Sequence, residues 1–398
     1  MSWTPHRLDQ LGHLSRGRSR HRPRDAVHLY DGPYPFIQTG DVKHSGLYIT
    51  DYRQTYTEAG LEQSKLWPAG TLCITIAANI ADTAILGIDA CFPDSVIGFN
   101  PDENKADARF VKYLFDATIQ HRVRQFTQGA AQDNLSQEKL LSIEFLVPNI
   151  NEQKRIADIL SAYDDLVENN RRRMALMEEA ARQLYREWFV RLRFPGHEHT
   201  RITNGVPQGW ERVPTPDAVD INPSTRLSDE DEHWFVEMAD LPIDSMVVQQ
   251  AIRREGRSGS KFRNGDTLFA RITPCLENGK TAFVDFMEVG EVGRGSTEFI
   301  VLRSKCLTPE VVYCLARTYD FRENAIKSMV GSSGRQRVQE SCFDKCLVLI
   351  PPRILLDVFT DIARPIFRQV RTLHSQNQKL RAARDLLLPR LMTGEIAV

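Results

Sequence analysis

The chain has 398 residues, of which 51 are Lys or Arg and 52 are Asp or Glu, so its formal net charge is −1. This length predicts about two to three domains, each able to bury its own core. No apolar run approaches the roughly 20 residues that span a bilayer, and residues 1–5 lack a signal-peptide core. We therefore expect a cytoplasmic protein without a membrane partner. The seven scattered cysteines contain no C-x-x-C pair, which favours neither a zinc site nor a disulfide framework.

Residues 1–147 form the first predicted segment, in which short apolar runs alternate with turn residues. The runs at 71–76 and 140–147 are typical of strands, and 108–122 predicts a helix. Arginine occupies every even position from 16 to 24, with no acidic residue in this stretch. A basic run in a neutral chain indicates a surface that contacts phosphate.

Residues 148–194 change character and predict one long helix. Apolar residues recur in alternating steps of four and three from Ile156 to Trp188, which is a coiled-coil-like pattern. Phe194-Pro195-Gly196 would end the helix. The seam that we predict to pack against another helix contains Leu160, Tyr163, Val167, Asn170, Met174, Met177 and Leu184.

Residues 195–350 return to a β-rich pattern, and 351–398 predict a second long helix. The alternation breaks after Ile366, next to Pro365, which predicts a kink. A buried Asn in each seam would favour one register. Mutual packing of the two helices is the favoured interpretation, and two independent amphipathic helices are the alternative. The second seam contains Phe359, Ile362, Ile366, Val370, Leu373, Asn377, Leu380, Leu387 and Leu391.

The chain repeats itself after about 200 residues. Thr71-Leu72 returns as Thr267-Leu268, and residues 180–184 return as 382–386. A shift this long indicates duplication of a whole domain-plus-helix unit, which implies pseudo-twofold symmetry and a partner with two similar faces. We predict an α+β fold in which two mixed, β-rich domains are separated by two long antiparallel coiled-coil-like helices.

Motifs for catalysis are weak throughout the sequence. Gly279-Lys280-Thr281 resembles the end of a phosphate-binding loop, but position 274, which requires glycine, is Pro274. Asp94 with Glu103-x-Lys105 resembles a nuclease signature, but it lies in a polar loop rather than on a rigid strand. We therefore predict a chain without catalytic residues, metal or cofactor. A DNA nuclease and a helical adaptor protein remain as alternatives.

Taken together, these features resemble the specificity subunits of type I restriction–modification systems. The resemblance covers essentially the whole chain. Pro148 and Glu152-Gln153-x-x-Ile156 open the central helix, and residues 184–189 close it. Residues 35–42, 271–280 and 386–394 carry the rest of the resemblance. The second helix departs from the pattern, because Leu355-Leu356 stands where the first helix has Glu152-Gln153.

The resemblance implies a DNA-recognition subunit without chemistry of its own. Residues 1–147 and 195–350 would be two target recognition domains, each reading one half of a bipartite site in double-stranded DNA. Residues 148–194 and 351–398 would be the spacer helices that fix the distance between the half-sites. These helices would also dock two modification (methyltransferase) subunits, and restriction subunits would join the complex.

The DNA-contacting residues are predicted from charge and loop chemistry. Gln132 is a candidate for reading adenine, because a glutamine amide can bind that base with two hydrogen bonds. The polar, basic loop 331–337 corresponds to the loop that begins at Gly129. The first domain would use Arg18, Arg20, Arg22, Lys43 and Gln132, and the second would use Arg257, Lys261, Arg271, Arg335, Gln336 and Arg337.

Overall fold

The computed structural model describes residues 3–77, 80–120, 137–228, 231–332 and 334–398. Backbone contacts divide the chain into two compact units. The first unit consists of residues 1–169 and 377–398, and the second consists of residues 170–376. Each unit therefore combines one β-rich segment with a part of each long helix. The predicted four-segment division of the chain stays a prediction.

The first unit contains two larger sheets and a two-stranded one. Its strands are β1 (Thr4–His6), β2 (Gly12–Arg16), β3 (Tyr30–Phe36), β4 (Tyr48–Ile49), β5 (Gln54–Tyr56), β6 (Leu66–Trp67), β7 (Leu72–Thr75), β8 (Thr83–Leu86), β9 (Ala90–Cys91), β10 (Val96–Pro101) and β11 (Phe145–Val147). The strand orders are β2-β10-β7-β8-β4, β5-β3-β9-β6 and β1-β11. The sheets are mixed, because β3 with β9 and β4 with β8 are parallel pairs.

The second unit has the same plan. Its strands are β12 (Ile202–Thr203), β13 (Val206–Pro207), β14 (Glu211–Pro214), β15 (Val219–Ile221), β16 (Glu232–Val236), β17 (Ile252–Glu255), β18 (Ser260–Phe262), β19 (Thr267–Ala270), β20 (Thr281–Phe283), β21 (Gly293–Gly295), β22 (Phe299–Ser304) and β23 (Leu347–Ile350). The larger sheets have the orders β15-β22-β19-β20 and β17-β16-β21-β18, and β14 pairs with β23.

Most strands of the two units correspond, so the internal repeat of the sequence is a repeat of structure. Among the described strands, β4 of the first unit and β12 and β13 of the second have no counterpart. β7 and β19 carry the repeated Leu72 and Leu268, and each strand lies in the interior of its sheet. Both strands are buried at every residue, which explains their nearly continuous apolar sequence. The parallel pair of β16 with β21 corresponds to that of β3 with β9.

The described helices include short ones within the units and two long ones. They are α1 (Leu8–Leu11), α2 (Thr39–His44), α3 (Glu58–Glu62), α4 (Ala108–Phe115), α5 (Gln137–Leu141), α6 (Ile150–Tyr185), α7 (Thr215–Ala218), α8 (Pro309–Ala316), α9 (Tyr319–Lys327), α10 (Cys342–Lys345) and α11 (Arg353–Met392). None of the described helices is both long and apolar enough to span a membrane.

The long helices α6 and α11 bury their seams in the core of each unit. In the first unit, Ile156, Ala157 and Leu160 join a cluster with Leu391 and Met392. Asn377 donates a hydrogen bond from Nδ2 to the carbonyl oxygen of Val167 at 3.1 Å. Asp164 meets Arg384 in the same unit. Residue numbers therefore rise on one helix as they fall on the other, so the helices are antiparallel within this unit.

Most residues of the two predicted seams are buried or half-buried. Buried are Leu160, Asn170, Val370, Leu373 and Asn377, and half-buried are Tyr163, Val167, Met174, Met177, Leu184, Leu380 and Leu387. One part of the second seam was predicted wrongly, because Ile362 is 44% exposed whereas Phe359 and Ala363 are fully buried. The small side chain of Ala363 lets the core reach the helix backbone at this turn.

Two helix ends also differ from the prediction. Helix α6 ends at Tyr185 and continues as a π-helical turn, Arg186–Val190, before Phe194. Likewise α4 ends at Phe115 and is followed by a π-helical turn, Asp116–Gln120. Helix α11 runs without interruption past Pro365, and the predicted kink there stays a prediction.

Candidate nucleic-acid interface

In the second unit, two arginines of β17 lie over aromatic rings of β16. The guanidinium carbon of Arg253 is 4.6 Å from the ring centre of Trp234, and that of Arg254 is 5.0 Å from the ring centre of Phe235. Strand β17 is the edge of its sheet, and all its residues are exposed. Aromatic faces attract guanidinium groups and so orient them. Carboxylates also pair with both arginines, Glu291 with Arg253 and Glu237 with Arg254 at 3.6 Å. The edge therefore carries guanidinium groups held between aromatic rings and carboxylates.

A buried arginine supports this edge. Arg294 on β21 is only 3% exposed, and its guanidinium carbon is 4.7 Å from the ring centre of Phe235. Its Nη2 donates to the carbonyl oxygen of Arg254 at 3.0 Å, and its Nη1 donates to that of Ser258 at 3.4 Å. Burial, followed by the neighbouring charge of Arg254, lowers the pKa of Arg294. Arg294 thus ties the loop after β17 to the sheet.

That loop carries the predicted contact residue Arg257. The Arg257 side chain is exposed, and its Nη2 donates to the carbonyl oxygen of Ser228 at 3.0 Å. The loop closes at Gly259, which has a φ of +101°. A Cβ atom there would lie 2.0 Å from the carbonyl oxygen of Gly295, so only glycine fits.

A recess of about 350 Å³ lies beside this loop. Phe235, Arg254 and Gly259 line it together with the polar side chains of Glu237 and Thr297. Carboxylates, hydroxyls and guanidinium groups are the side-chain groups that hydrogen-bond to base edges. The recess therefore places base-reading chemistry next to phosphate-binding chemistry.

Residues that we predicted to contact DNA, from two segments far apart in the sequence, meet at a second site on this unit. The amide of Thr273 donates to the carbonyl oxygen of Gln336 at 3.1 Å, and the amide of Gln336 donates to Oγ1 of Thr273 at 3.0 Å. The amide of Val338 donates to the carbonyl oxygen of Arg271 at 2.9 Å. The structure therefore brings Arg271 next to Gln336 and its neighbours in the chain.

Carboxylates already bind two of these arginines. Glu298 holds Arg337 through contacts of 2.7 and 2.9 Å, and Glu340 lies 3.2 Å from Nη1 of Arg271. Burial is partial for both arginines, since their side chains are 47% and 25% exposed respectively. Arg335 is exposed, and its side chain makes no hydrogen bond or ion pair within the described part of the chain. Only Arg335 in this group offers an unneutralised charge.

A short turn connects the recess beside Arg254 to the site where Arg271 meets Gln336. Thr297 lines the recess beside Arg254, and the next residue, Glu298, binds Arg337. Lys261 is half-buried on β18, where it pairs in register with Arg294. We call the residues Arg254, Arg257, Arg271, Arg335 and Arg337 the second-unit basic surface.

In the first unit, the predicted arginine run follows β2. The amide of Arg20 donates to Oε1 of Gln63 at 2.6 Å, and the hydroxyl of Ser64 donates to the carbonyl oxygen of Arg18 at 2.8 Å. These contacts fix the backbone, while the side chains of Arg18 and Arg20 are exposed. Nη1 of Arg22 instead donates to the carbonyl oxygen of Ser19 at 2.7 Å.

Lys65 joins this run, although the sequence did not single it out. Its Nζ lies 3.6 Å from the ring centre of Trp67. Burial, followed by the positive charge of Arg18, lowers the pKa of Lys65. Lys43 is exposed on α2, a separate element. Gln132 lies outside the described residues.

The sheet that corresponds to β17-β16-β21-β18 carries different side chains in the first unit. Phe36 stands where the second unit has Phe235, since each pairs with the matching parallel strand. Phe36 stacks on Tyr56 with 4.1 Å between ring centres, and Tyr30 lies 5.2 Å from Tyr56. Burial raises the pKa of Tyr56 to about 12. One backbone frame thus buries an aromatic pair in one unit and carries arginine–aromatic pairs at an exposed sheet edge in the other.

A short repeat in the sequence marks the two corresponding sheets, β5-β3-β9-β6 and β17-β16-β21-β18. Phe36-Ile37-Gln38 and Phe235-Val236-Glu237 both precede an Asp that receives a backbone hydrogen bond. The amide of Gln38 donates to Asp41 at 2.8 Å, and the amide of Glu237 donates to Asp240 at 2.9 Å. The pattern is short, so it became visible only with the strands in place.

The rejected catalytic motifs have ordinary partners in the structure. Nη2 of Arg24 donates to both carboxylate oxygens of Asp94, at 3.0 and 2.9 Å. Lys105 pairs with Asp102 at 3.1 Å. Within the described ranges, no three His, Cys, Asp or Glu residues lie close enough together to hold a metal ion.

Known proteins are similar to this chain in sequence and in fold. Residues 2–179 match the type I restriction modification DNA specificity domain. The chain is 22% identical over 417 residues to the type I restriction enzyme MjaIX specificity subunit of Methanocaldococcus jannaschii, covering 100% of this chain and 94% of that relative. It is 20% identical to the HindI specificity subunit of Haemophilus influenzae over 97% of this chain and 98% of the relative.

A solved structure shows the same fold. The crystal structure of the type I restriction–modification system S subunit from M. genitalium superposes with a TM-score of 0.59 at 15% identity, covering 98% of this chain and 96% of that one. Two repeated α+β units, each built on parts of two long helices, are therefore an S-subunit fold. The matched specificity domain and the full-length relatives make the chain similar, along its whole length, to the type I restriction–modification specificity subunits.

Proposed function

We propose that the chain is the sequence-reading subunit of a type I restriction–modification complex and has no catalytic role of its own. Each unit would bind one short half-site of a bipartite site in double-stranded DNA. The observation that carries the proposal is the pair of matching sheets with different side chains. The aromatic pair of Phe36 and Tyr56 corresponds in place to the arginine–aromatic pairs around Phe235.

Different side chains on one frame suit two different half-sites. Contacts to phosphates position a protein on DNA, whereas contacts to base edges carry the sequence information. In the second unit, Arg335 and Arg257 are exposed cations for the first task. Glu237 and Thr297, in the recess beside Arg254, suit the second task. In the first unit, Arg18, Arg20 and Lys65 would contact phosphates.

Exposed apolar side chains on the long helices support the proposal that further subunits dock there. Large apolar side chains on them remain exposed, at spacings that place several on one helix face. They are Ile159, Leu166 and Leu176 on α6, and Ile354, Val358 and Ile362 on α11. Ile354, Val358 and Ile362 recur every four residues and form one stripe. We propose that two modification subunits cover such faces, that the helices set the spacing between half-sites, and that restriction subunits join the complex.

Selection from a random DNA library tests the proposal. The chain would be combined with its modification subunit, and bound duplexes would be sequenced. The proposal predicts two short conserved blocks separated by an unspecified spacer of fixed length. One conserved block would contradict the bipartite site, and no enrichment would favour the adaptor alternative. Cleavage of the library by the isolated chain would favour the nuclease alternative.

A further inference from the structure

A recess of about 630 Å³ opens in the second unit, away from the second-unit basic surface. Its floor is apolar and is formed by the buried residues Phe189, Val311, Cys314, Phe321 and Val348. Three large apolar side chains stand exposed among the lining residues: Val190 (50%), Leu347 (58%) and Tyr319 (65%). Exposed apolar groups around an apolar recess mark a binding surface.

The lining of this recess is positively charged. Its arginines are Arg182, Arg186, Arg212 and Arg317, and Asp320 is the one acid among the described lining residues. Glu179 pairs with Arg182 at 3.1 Å and also with Arg186. One carboxylate shared by two arginines leaves an excess of positive charge. The ligand should therefore carry negative charge.

The recess also runs along the edge of a β-strand. Residues 346–349 line it in succession, although alternate side chains of a strand point to opposite faces. Successive residues can line one recess only if it follows the strand's edge. Within the described residues, β23 pairs with β14 alone, so its second edge offers unpaired backbone groups. Such an edge accepts an extended peptide as an added strand.

The corresponding recess of the first unit is smaller, about 280 Å³, because the chain fills part of it. Trp3 lines that recess, with its ring centre 6.3 Å from that of Phe110 and its Nε1 donating to Glu152 at 3.3 Å. Val147 and Ile350 each precede a proline at the end of equivalent strands, so the registers equate Thr4 with Glu211 and make Trp210 the counterpart of Trp3. Val311 is the counterpart of Phe110, as the third residue of its helix. The second recess thus has Val311 in place of Phe110, and Trp210, which packs on Phe189 and Phe194, is not among its described lining residues.

We propose that the larger recess binds an extended segment of a partner protein in which acidic and large apolar side chains alternate. The segment adds to the edge of β23, places an apolar side chain on the floor in the space that Trp3 and Phe110 occupy in the first unit, and directs its carboxylates to Arg186 and Arg212. A nucleotide would satisfy the charge but not the strand edge. The proposal does not depend on DNA recognition.

Fluorescence anisotropy with the full chain tests the proposal. The probe is a fluorescein-labelled peptide of eight residues that alternates glutamate with phenylalanine. We expect saturable binding, and a loss of about tenfold or more in affinity when Leu347→Glu places a negative charge at the rim. The matched control is Val289→Glu, the same kind of change at a fully exposed site of the second unit that lies outside the lining. The control should bind the peptide as the parent chain does.

Two altered peptides distinguish the contribution of charge to binding from the contribution of strand addition. Replacing glutamate by lysine should abolish binding, and so should N-methylation of alternate amides, which removes donors to the strand edge. Equal binding of the lysine or N-methylated peptide would overturn the proposal. So would equal weakening by Leu347→Glu and Val289→Glu, or failure of the glutamate peptide to bind. Displacement of the peptide by equimolar ATP would identify a nucleotide pocket and would also overturn it.

Discussion

The hydroxyl of Tyr113 donates a hydrogen bond to Oδ2 of Asp164, with 2.6 Å between the two oxygens, and both residues are buried. The other carboxylate oxygen of Asp164 forms an ion pair with Arg384. This network joins α4 to both long helices inside the first unit. Neighbouring Asp164 and burial raise the pKa of Tyr113, with burial the larger cause, so Tyr113 is the donor at neutral pH.

Removing either partner of Asp164 should destabilise the first unit. We expect Tyr113→Phe to lower the free energy of unfolding by about 1.5–3 kcal/mol, the range for a hydrogen bond to a charged group. Arg384→Met should cost about 3 kcal/mol, because it leaves a buried carboxylate without its cation. Urea denaturation measures both changes.

A surface ion pair provides the control for these variants. Arg390 pairs with Glu395, and both side chains are more than half exposed, at 55% and 57%. Arg390→Met should cost less than about 1 kcal/mol, as exposed pairs do. Equal losses for Arg384→Met and Arg390→Met would show that burial of Asp164 does not contribute.

Asp285 should make the second unit less stable as the pH rises. Burial raises the pKa of this carboxyl from 3.8 to about 7, an effect that Arg371, at 3.9 Å, partly offsets and that Glu178 reinforces. The folded state therefore holds a proton that the unfolded state has released between about pH 4 and 7. Its stabilising effect is complete below about pH 4 and is lost as the pH rises through the folded-state value.

Asp285→Asn removes this dependence. At pH 8 the variant should be more stable than the parent, by up to about 4 kcal/mol at roughly 1.4 kcal/mol per pKa unit. At pH 4 the two should have similar stability. Thermal unfolding at several pH values measures the difference, and a constant difference across this range would contradict the assignment.

Neutralising the loop arginines should weaken DNA binding. In the double variant Arg335→Gln and Arg337→Gln, the slope of log affinity against log salt should become shallower by up to about two, because each lost phosphate contact changes it by about 0.9. Filter binding at several salt concentrations measures the slope. The control is Arg353→Gln with Arg368→Gln, two exposed arginines on α11, and equal slopes for both double variants would exclude a phosphate contact at the loop.

Glu298→Gln should have the opposite effect. The change frees the guanidinium of Arg337 from the carboxylate that binds it at 2.7 Å. Affinity for DNA of unrelated sequence should rise by roughly three- to tenfold, or about 0.7–1.4 kcal/mol. Glu323→Gln, which removes the partner of Lys327 on α9, is the matched control. A weaker binder at Glu298→Gln would instead make this carboxylate part of base recognition.

The sequence predicted those elements whose structure follows from the pattern of neighbouring residues. The seam of α6 follows from its heptad, and the repeat of Leu72 as Leu268 located two matching buried strands. The arginine–aromatic pairs could not be predicted in this way. Arg294 reaches Phe235 through a parallel pairing of β21 with β16, and nothing near either residue in the chain encodes that pairing.

The same limit applies to individual site residues. Arg271 was predicted from its charge alone, but its guanidinium contacts Glu340 and the carbonyl oxygen of Val338, both nearly 70 residues away in the sequence. Lys65 was overlooked because its neighbours in the chain are unremarkable. Lys65 becomes part of a basic group only because the segment that follows β2, which contains Arg18, lies beside it.

Single-molecule methylome sequencing tests the central claim most directly. Cells would express the modification subunit with the parent chain, with no chain, or with a chain that carries Phe235→Ala and Arg254→Gln. The account predicts a split, asymmetric methylated motif that disappears without the chain. In the variant, one block should relax while the other block and the spacing stay unchanged. A methylome that is the same with and without the chain would contradict the account.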